Sequence, residues 1–191
     1  MRESGQTPNK RRGRRAYLED FQRTLDGTYM YTGAHYAYAD AAGRPRRRLL
    51  GGLWLSAALA AAATLAQGFL PAGGMYNCAY VLLPYAAALL SSISVVWALA
   101  RLSLNKEPVR AYIYTATVAA LPLRSILTAC FVGATLVGDC VFLAIRGMPR
   151  PVVSLSFLGL GLLAELSTLL GIRWRRGATW IRIEPEAKKE G

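Results

Sequence analysis

The sequence predicts an all-α integral membrane protein built as a bundle of four transmembrane helices. Hydrophobic residues make up 53% of the chain, which would be ordinary in a globular domain, but here they form a few long runs without charge. Much of the basic charge lies directly beside these runs, as topology-setting charge does. A helix needs about 20 apolar residues to cross a hydrocarbon layer of roughly 30 Å, so each run can be tested against a length.

Four runs pass this length test. Each holds slightly more than 20 residues, which corresponds to about 30–35 Å at ~1.5 Å per residue. We therefore predict membrane spans over residues 49–70, 78–100, 125–145 and 152–172. Together they form a transmembrane domain, residues 49–172, between two basic tails, residues 1–48 and 173–191.

The third run needs to be divided, because residues 111–145 are too many for one span and contain Pro122 and Arg124. Proline disfavours the helical conformation in the residue before it. We place the break there and predict an interfacial or re-entrant helix over residues 108–121, ahead of the third span. The alternative, two full spans in this region, would export the arginine-rich C-terminal tail.

The distribution of basic residues predicts the orientation. Only two of the 23 Lys and Arg residues, Arg146 and Arg150, fall in the loops that four spans would place outside. Positive charge is retained on the cytoplasmic side of membranes. We therefore expect a protein of the cell membrane with both termini in the cytoplasm.

The polar segments at the two ends carry weaker signals of secondary structure. Residues 14–25 place apolar side chains on one side of a helix, and residues 28–38 suit a β-hairpin that turns at Gly33-Ala34. Residues 180–183 alternate in the same way and would add a strand. We expect a small cytoplasmic cap from these pieces.

Two carboxylates, Asp139 and Glu165, lie inside predicted spans, where a charge is unfavourable by at least a few kcal/mol. Together with Arg124 at the boundary they form our candidate intramembrane polar site. We expect Asp139 to lie about 9 Å from the outer end of its span, within reach of water and of Arg146. Glu165 should lie nearer the inner end, roughly 11 Å from Asp139 along the membrane normal.

Glu165 has two interpretations. In the structural one it is protonated, or hydrogen-bonded to Ser91, Ser92, Ser94 or Arg124, and holds the helices together. In the functional one it is a proton or cation site, since intramembrane carboxylates often mark such paths.

Small residues recur at every fourth position of the first span, where they make a face on which another helix can approach closely. This face consists of Gly52, Ser56, Ala60, Thr64 and Gly68. We considered it for packing inside the bundle and for a homo-oligomer. The alternative is an alanine-rich helix that faces lipid.

A detached basic cluster in the N-terminal tail is a candidate for contact with anionic lipid headgroups, at around 1 kcal/mol per residue. It consists of Lys10, Arg11, Arg12, Arg14 and Arg15. The alternative is charge that serves topology alone. We expect no nucleic acid, because aromatic residues are not interleaved with this cluster.

The sequence contains few residues that could form a catalytic site. The single histidine, His35, has no metal-binding neighbours at suitable spacing, and the three cysteines form no C-x-x-C pair. We expect no metal, no cofactor and no enzyme activity. The leading hypothesis is a non-catalytic interaction or accessory subunit that binds another membrane protein or a second copy. The alternative is a small ion-coupled transporter or channel subunit that uses Glu165 and Asp139.

Overall fold

A computed structural model describes residues 21–23, 27–39, 43–148 and 150–183 of the chain, and shows four long helices with a small sheet at one end. In chain order the elements are β1 (Phe21–Arg23), β2 (Tyr29–Tyr31), β3 (His35–Ala39), α1 (Arg46–Gly68), α2 (Gly73–Asn77), α3 (Ala79–Leu104), β4 (Val109–Arg110), α4 (Ala111–Tyr114), a π-helical segment (Thr115–Ala119), α5 (Leu121–Arg146), α6 (Pro151–Arg175) and β5 (Thr179–Ile183).

Four helices are long and apolar enough to cross a membrane, which confirms the predicted number. They are α1, α3, α6 and the stretch Ala111–Arg146, which includes α5. The four predicted spans lie almost wholly within these helices, because span length follows directly from the run of apolar residues.

The helices close into a ring, in which α1 packs against α3 and α6, and α5 packs against the same two helices. The middle of the ring is filled by one small or branched residue from each helix: Ala63, Ala88, Val132 and Ala164. Small side chains at these positions let the backbones approach closely. We call this group the central layer.

The sheet joins three parts of the chain that are distant in sequence. Its central strand is β3, which precedes α1, and its two neighbours are β4, which follows α3, and β5, which follows α6. Both neighbours run antiparallel to β3, with His35 opposite Arg110 on one side and Ile183 on the other. The start of α1 and the ends of α3 and α6 therefore meet at one end of the bundle, which we call the sheet end.

The predicted hairpin over residues 28–38 is wrong, although its two strands form. Strand β2 pairs with β1, with Phe21 opposite Tyr31, while β3 pairs with β4 and β5. An isolated two-stranded hairpin is marginal, and the strands that follow α3 and α6 give β3 a partner on each side. The strand predicted at residues 180–183 is confirmed as β5.

The helix predicted over residues 14–25 is wrong over residues 21–23, which form β1. Pairing with β2 overrides the helical spacing of its apolar residues. The rest of that prediction lies outside the described residues.

The region predicted as an interfacial helix, residues 108–121, contains β4, α4 and the π-helical segment. Helix α5 begins at Leu121, four residues before the predicted span, because Pro122 fits the first turn of a helix, where no N–H bond is needed. Residues 109–118, from β4 to the π-helical segment, pack on the start of α1 and the end of α3 through Val109, Ile113 and Val118. They stay at the sheet end, so Ala111–Arg146 crosses the bundle once and the alternative with two spans is not observed.

Candidate functional site

Asp139 lies on α5, near the end of the bundle opposite the sheet. Its side chain is 1% exposed, and its Oδ2 atom has no hydrogen-bond partner among the described residues. A methyl group added at Gly74 of α2 would lie 2.6 Å from Oδ1, so the short helix closes tightly over the carboxyl group. The expectation that Asp139 reaches water is therefore wrong, and the described ion pairs include none with Arg146.

Glu165 lies half-buried on α6, with its Oε2 atom buried and without a partner among the described residues. The hydrogen bonds that we expected are not formed. The Ser91 hydroxyl lies 2.8 Å from that of Thr128, and Ser92 donates to its own helix. Serine hydroxyls in helix interiors often bond the preceding turn, which removes them as donors to a neighbour.

The two carboxylates are separated along the bundle. Glu165 is adjacent to Ala164 of the central layer, whereas Asp139 follows Val132 of the same layer by seven residues, or about 10 Å. Phe131, Leu136 and Leu160 pack around the layer. An apolar layer therefore lies between Asp139 and the sheet end, and the two carboxylates are too far apart to share a proton.

Arg124 does not join the carboxylates either. Its Nη1 atom donates to the carbonyl of Ser94 at 3.0 Å, and its Nη2 atom donates to the carbonyl of Ala116 at 3.4 Å. The guanidinium group thus links α3, α5 and the π-helical segment through backbone oxygens. The three residues of the predicted polar site remain apart in the structure.

Arg175 has a similar role that the sequence analysis missed. Its Nη2 atom donates to the carbonyl of Val118 at 2.8 Å. In a regular helix that carbonyl would accept from the residue four positions later, but Pro122 has no N–H. A proline after a helical run, with an arginine on a neighbouring helix, is the signal that could have indicated this contact.

A cavity of about 30 Å³, lined mainly by apolar residues, lies inside the ring near the sheet end. About 10–15 Å³ of such volume holds one water molecule, so the cavity has room for about two. Five hydroxyl groups and Arg175 also line it. The hydroxyls belong to Ser56, Ser92, Ser125, Thr128 and Thr168, and each donates to a carbonyl of its own helix. Their oxygens can accept hydrogen bonds from a water molecule.

The face of small residues on α1 is used inside the chain. Gly52 lies against the Trp174 ring, Gly68 lies against the Tyr85 hydroxyl, and Ser56, Ala60 and Thr64 are buried. The Tyr85 hydroxyl also donates to the Thr64 carbonyl at 3.1 Å. The close approach that we predicted is therefore made by α3 and α6, and the buried part of this face has no surface left for a second copy.

The sheet end carries a cluster of aromatic side chains. Tyr36 stacks on Tyr114 with ring centroids 3.9 Å apart, and Trp180 meets the edges of Tyr38 and Tyr114. His35 makes a separate aromatic contact, with its ring centroid 5.2 Å from that of Tyr31. The contacts of Tyr114 join the strands to α4.

An ion pair fixes the sheet to the helices. Arg46 Nε lies 3.3 Å from Glu107 Oε1, and that oxygen also accepts a bond from the Tyr38 backbone N–H. Arg46 Nη2 donates to the carbonyls of Leu102 and Asn105 at the end of α3. We call the sheet, its aromatic cluster and this ion pair the cap. Sequence analysis did not identify Glu107, because its partner lies 61 residues earlier in the chain.

The basic cluster Lys10, Arg11, Arg12, Arg14 and Arg15 lies outside the described residues, so its lipid contact stays a prediction. In the part of the chain that the structure describes, no group of three or more His, Cys, Asp or Glu side chains could hold a metal ion. No protein-family model matches the chain, and neither a curated protein nor a solved structure matches it.

Proposed function

We propose that this chain is a non-catalytic interaction or accessory subunit of the cell membrane, which binds a partner protein through its cap. The observation that carries the proposal is the way the cap is assembled. Chain segments next to α1, α3 and α6 meet in one sheet, and Arg46 and Glu107 tie that sheet to two helix ends. A partner on the cap would therefore contact all three helices indirectly.

The distribution of basic residues supports the orientation that we propose for the protein in the membrane. The sheet end carries nearly all the basic residues beside the helices, while Arg146 and Arg150 lie at the opposite end. Positive charge flanks the cytoplasmic ends of spans, so the cap and both termini face the cytoplasm. Anionic lipid at the Lys10 cluster would hold the N-terminal tail near the membrane surface.

Exposed apolar side chains on β5 provide a contact surface for the partner. Ile181 is 57% exposed and Ile183 is 45% exposed. The buried core of a protein interface is more apolar than the rest of the surface, and in this proposal the two isoleucines form that core. At the opposite end, Met148 is also an exposed apolar residue, 50% accessible, and provides a matched control.

The test is quantitative cross-linking in intact cells, with the partner proteins identified by mass spectrometry. Ile181→Lys and deletion of residues 1–44 should both abolish the main cross-linked partner. Met148→Lys and Glu165→Gln should leave it unchanged. Retention of the same partner after the deletion would refute binding through the cap.

A second candidate, a small ion-coupled transporter or channel subunit, is favoured by one observation. Asp139 and Glu165 each have a buried carboxyl oxygen without a partner among the described residues, and such groups within a membrane often mark ion paths. This function predicts pH-dependent flux in liposomes that contain the purified chain. Flux that is the same in Glu165→Gln and Asp139→Asn as in the wild type would exclude those roles.

A further inference from the structure

A cleft lies between the start of α5 and the end of α6, at the sheet end of the bundle. Its volume is about 150 Å³. About 10–15 Å³ of such volume holds one water molecule, so the cleft has room for several waters or for a phosphate group. The residues that line it are Pro122, Ser125, Ile126, Ile172, Arg175 and Arg176.

The cleft changes from cationic to apolar along the bundle. Arg175 and Arg176 close α6, whereas Ile172 lies about one turn deeper in the same helix. On α5, Ile126 likewise lies one turn deeper than Pro122, and its side chain is 49% exposed. A charged group would sit at the end of the helices with hydrocarbon beside the isoleucines, which is the arrangement of a phospholipid.

The positive charge of the cleft is available for a ligand. Arg176 is exposed, and within the described ranges the guanidinium group of Arg175 makes one hydrogen bond, from Nη2 to the Val118 carbonyl. In those ranges no carboxylate lies within ion-pair distance of either arginine. The one carboxylate on α6, Glu165, is ten residues before Arg175, or about 15 Å along the helix.

We infer that this cleft binds the phosphate headgroup of an anionic phospholipid in the membrane leaflet at the sheet end. Arg175 and Arg176 neutralise the phosphate, the Ser125 hydroxyl lies at its edge, and Ile126 and Ile172 contact the first part of the acyl chains. A free phosphate ion would use only the polar half of the cleft. The site uses none of the residues of the Lys10 cluster and does not depend on the proposed partner.

Native mass spectrometry of the full-length chain in detergent, titrated with dioctanoyl phosphatidylglycerol, tests the inference. Arg176→Gln should weaken binding of the first lipid about fivefold, since a basic residue near a headgroup contributes ~1 kcal/mol. Arg173→Gln is the matched control, because Arg173 is exposed in the same turn but does not line the cleft. It should leave the affinity unchanged.

A second variant tests the shape of the cleft without a change of charge. Ile126→Trp fills the space between the two helices, so it should weaken lipid binding while Arg176 is still present. Normal affinity in this variant would overturn the inference, because the lipid would then be bound elsewhere.

Three further results would also overturn it. Equal losses in Arg173→Gln and Arg176→Gln would mean that diffuse surface charge attracts the lipid. Equally tight binding of dioctanoyl phosphatidylcholine would mean that the headgroup charge is not recognised. Displacement of the lipid by an equal concentration of inorganic phosphate would mean a simple anion site. Selective binding of phosphatidylglycerol that resists phosphate supports the lipid site.

Discussion

Helices α3 and α5 lie in close contact at Gly138 of α5. Substitution of Gly138 by alanine therefore tests how tightly these two helices pack. A methyl group at Gly138 would lie 2.9 Å from the backbone carbonyl oxygen of Tyr80. In a regular helix that carbonyl would accept from residue 84, but Pro84 has no N–H. An ordinary contact begins at 3.4 Å, so the two backbones must separate by about 0.5 Å.

The magnitude follows from a comparison with Gly133, on the same helix, where an added methyl group meets nothing within 4 Å. Both substitutions gain up to ~1 kcal/mol of helix propensity, and this gain cancels between them. Overpacking typically costs about 1–3 kcal/mol, so Gly138→Ala should be less stable than Gly133→Ala by that amount.

The assay is reversible unfolding by dodecyl sulfate in mixed micelles, followed by far-ultraviolet circular dichroism. Gly133→Ala should unfold at the same or a higher mole fraction of dodecyl sulfate than the wild type, and Gly138→Ala at a clearly lower one. Equal stability of the two alanine variants would refute the close approach of α3 and α5 at this position.

Three further predictions use the same unfolding assay. Arg175→Met should lower the free energy of unfolding by about 1–3 kcal/mol, because the Val118 carbonyl loses its donor. Pro122→Ala restores an N–H four residues after Val118, so it should recover ~1 kcal/mol in that background. Strictly additive effects of the two substitutions would contradict this compensation. Gln67 of α1 is 2% exposed, and its Nε2 atom donates to the Phe157 carbonyl of α6 at 2.9 Å. Gln67→Ala should cost about 2–4 kcal/mol through the buried space it empties, whereas Gln67→Leu, which keeps the volume, should cost ~1 kcal/mol or less. Equal losses in the two variants would show that packing is not the main contribution. Glu107→Gln should cost less than ~1 kcal/mol of stability, as expected for a partly exposed ion pair. Arg46→Ala should cost more, because the carbonyls of Leu102 and Asn105 also lose their donor. A larger loss in Glu107→Gln than in Arg46→Ala would contradict these roles.

The polar residues show how far sequence reasoning reaches at the candidate site. It identified Asp139, Glu165 and Arg124 as unusual, because a polar group in a long apolar run is visible without a structure. It assigned the wrong partners to Glu165 and Arg124. Hydrogen-bond partners depend on which helices are neighbours and on their rotation, and neither is encoded in the spacing along one helix.

In the cap, the sequence likewise predicted where some strands form but not how they pair. Alternation in residues 180–183 predicted β5, since the pattern of a strand is local. The pairing of β3 was missed, because its partners β4 and β5 lie after α3 and α6 and are brought to it only when the bundle forms. A short hairpin signal cannot compete with pairing that rigid helices hold in place.

By itself, the sequence determined the four helices of spanning length and the short strand after the last one. These depend on the length of apolar runs and on local periodicity, which act within one segment. Only the tertiary structure decided that the small face of α1 is occupied within the chain, that Arg175 bonds the carbonyl freed by Pro122, and that a cationic cleft opens between α5 and α6. Each of these joins residues from different helices, and their distances are set by packing rather than by position along the chain.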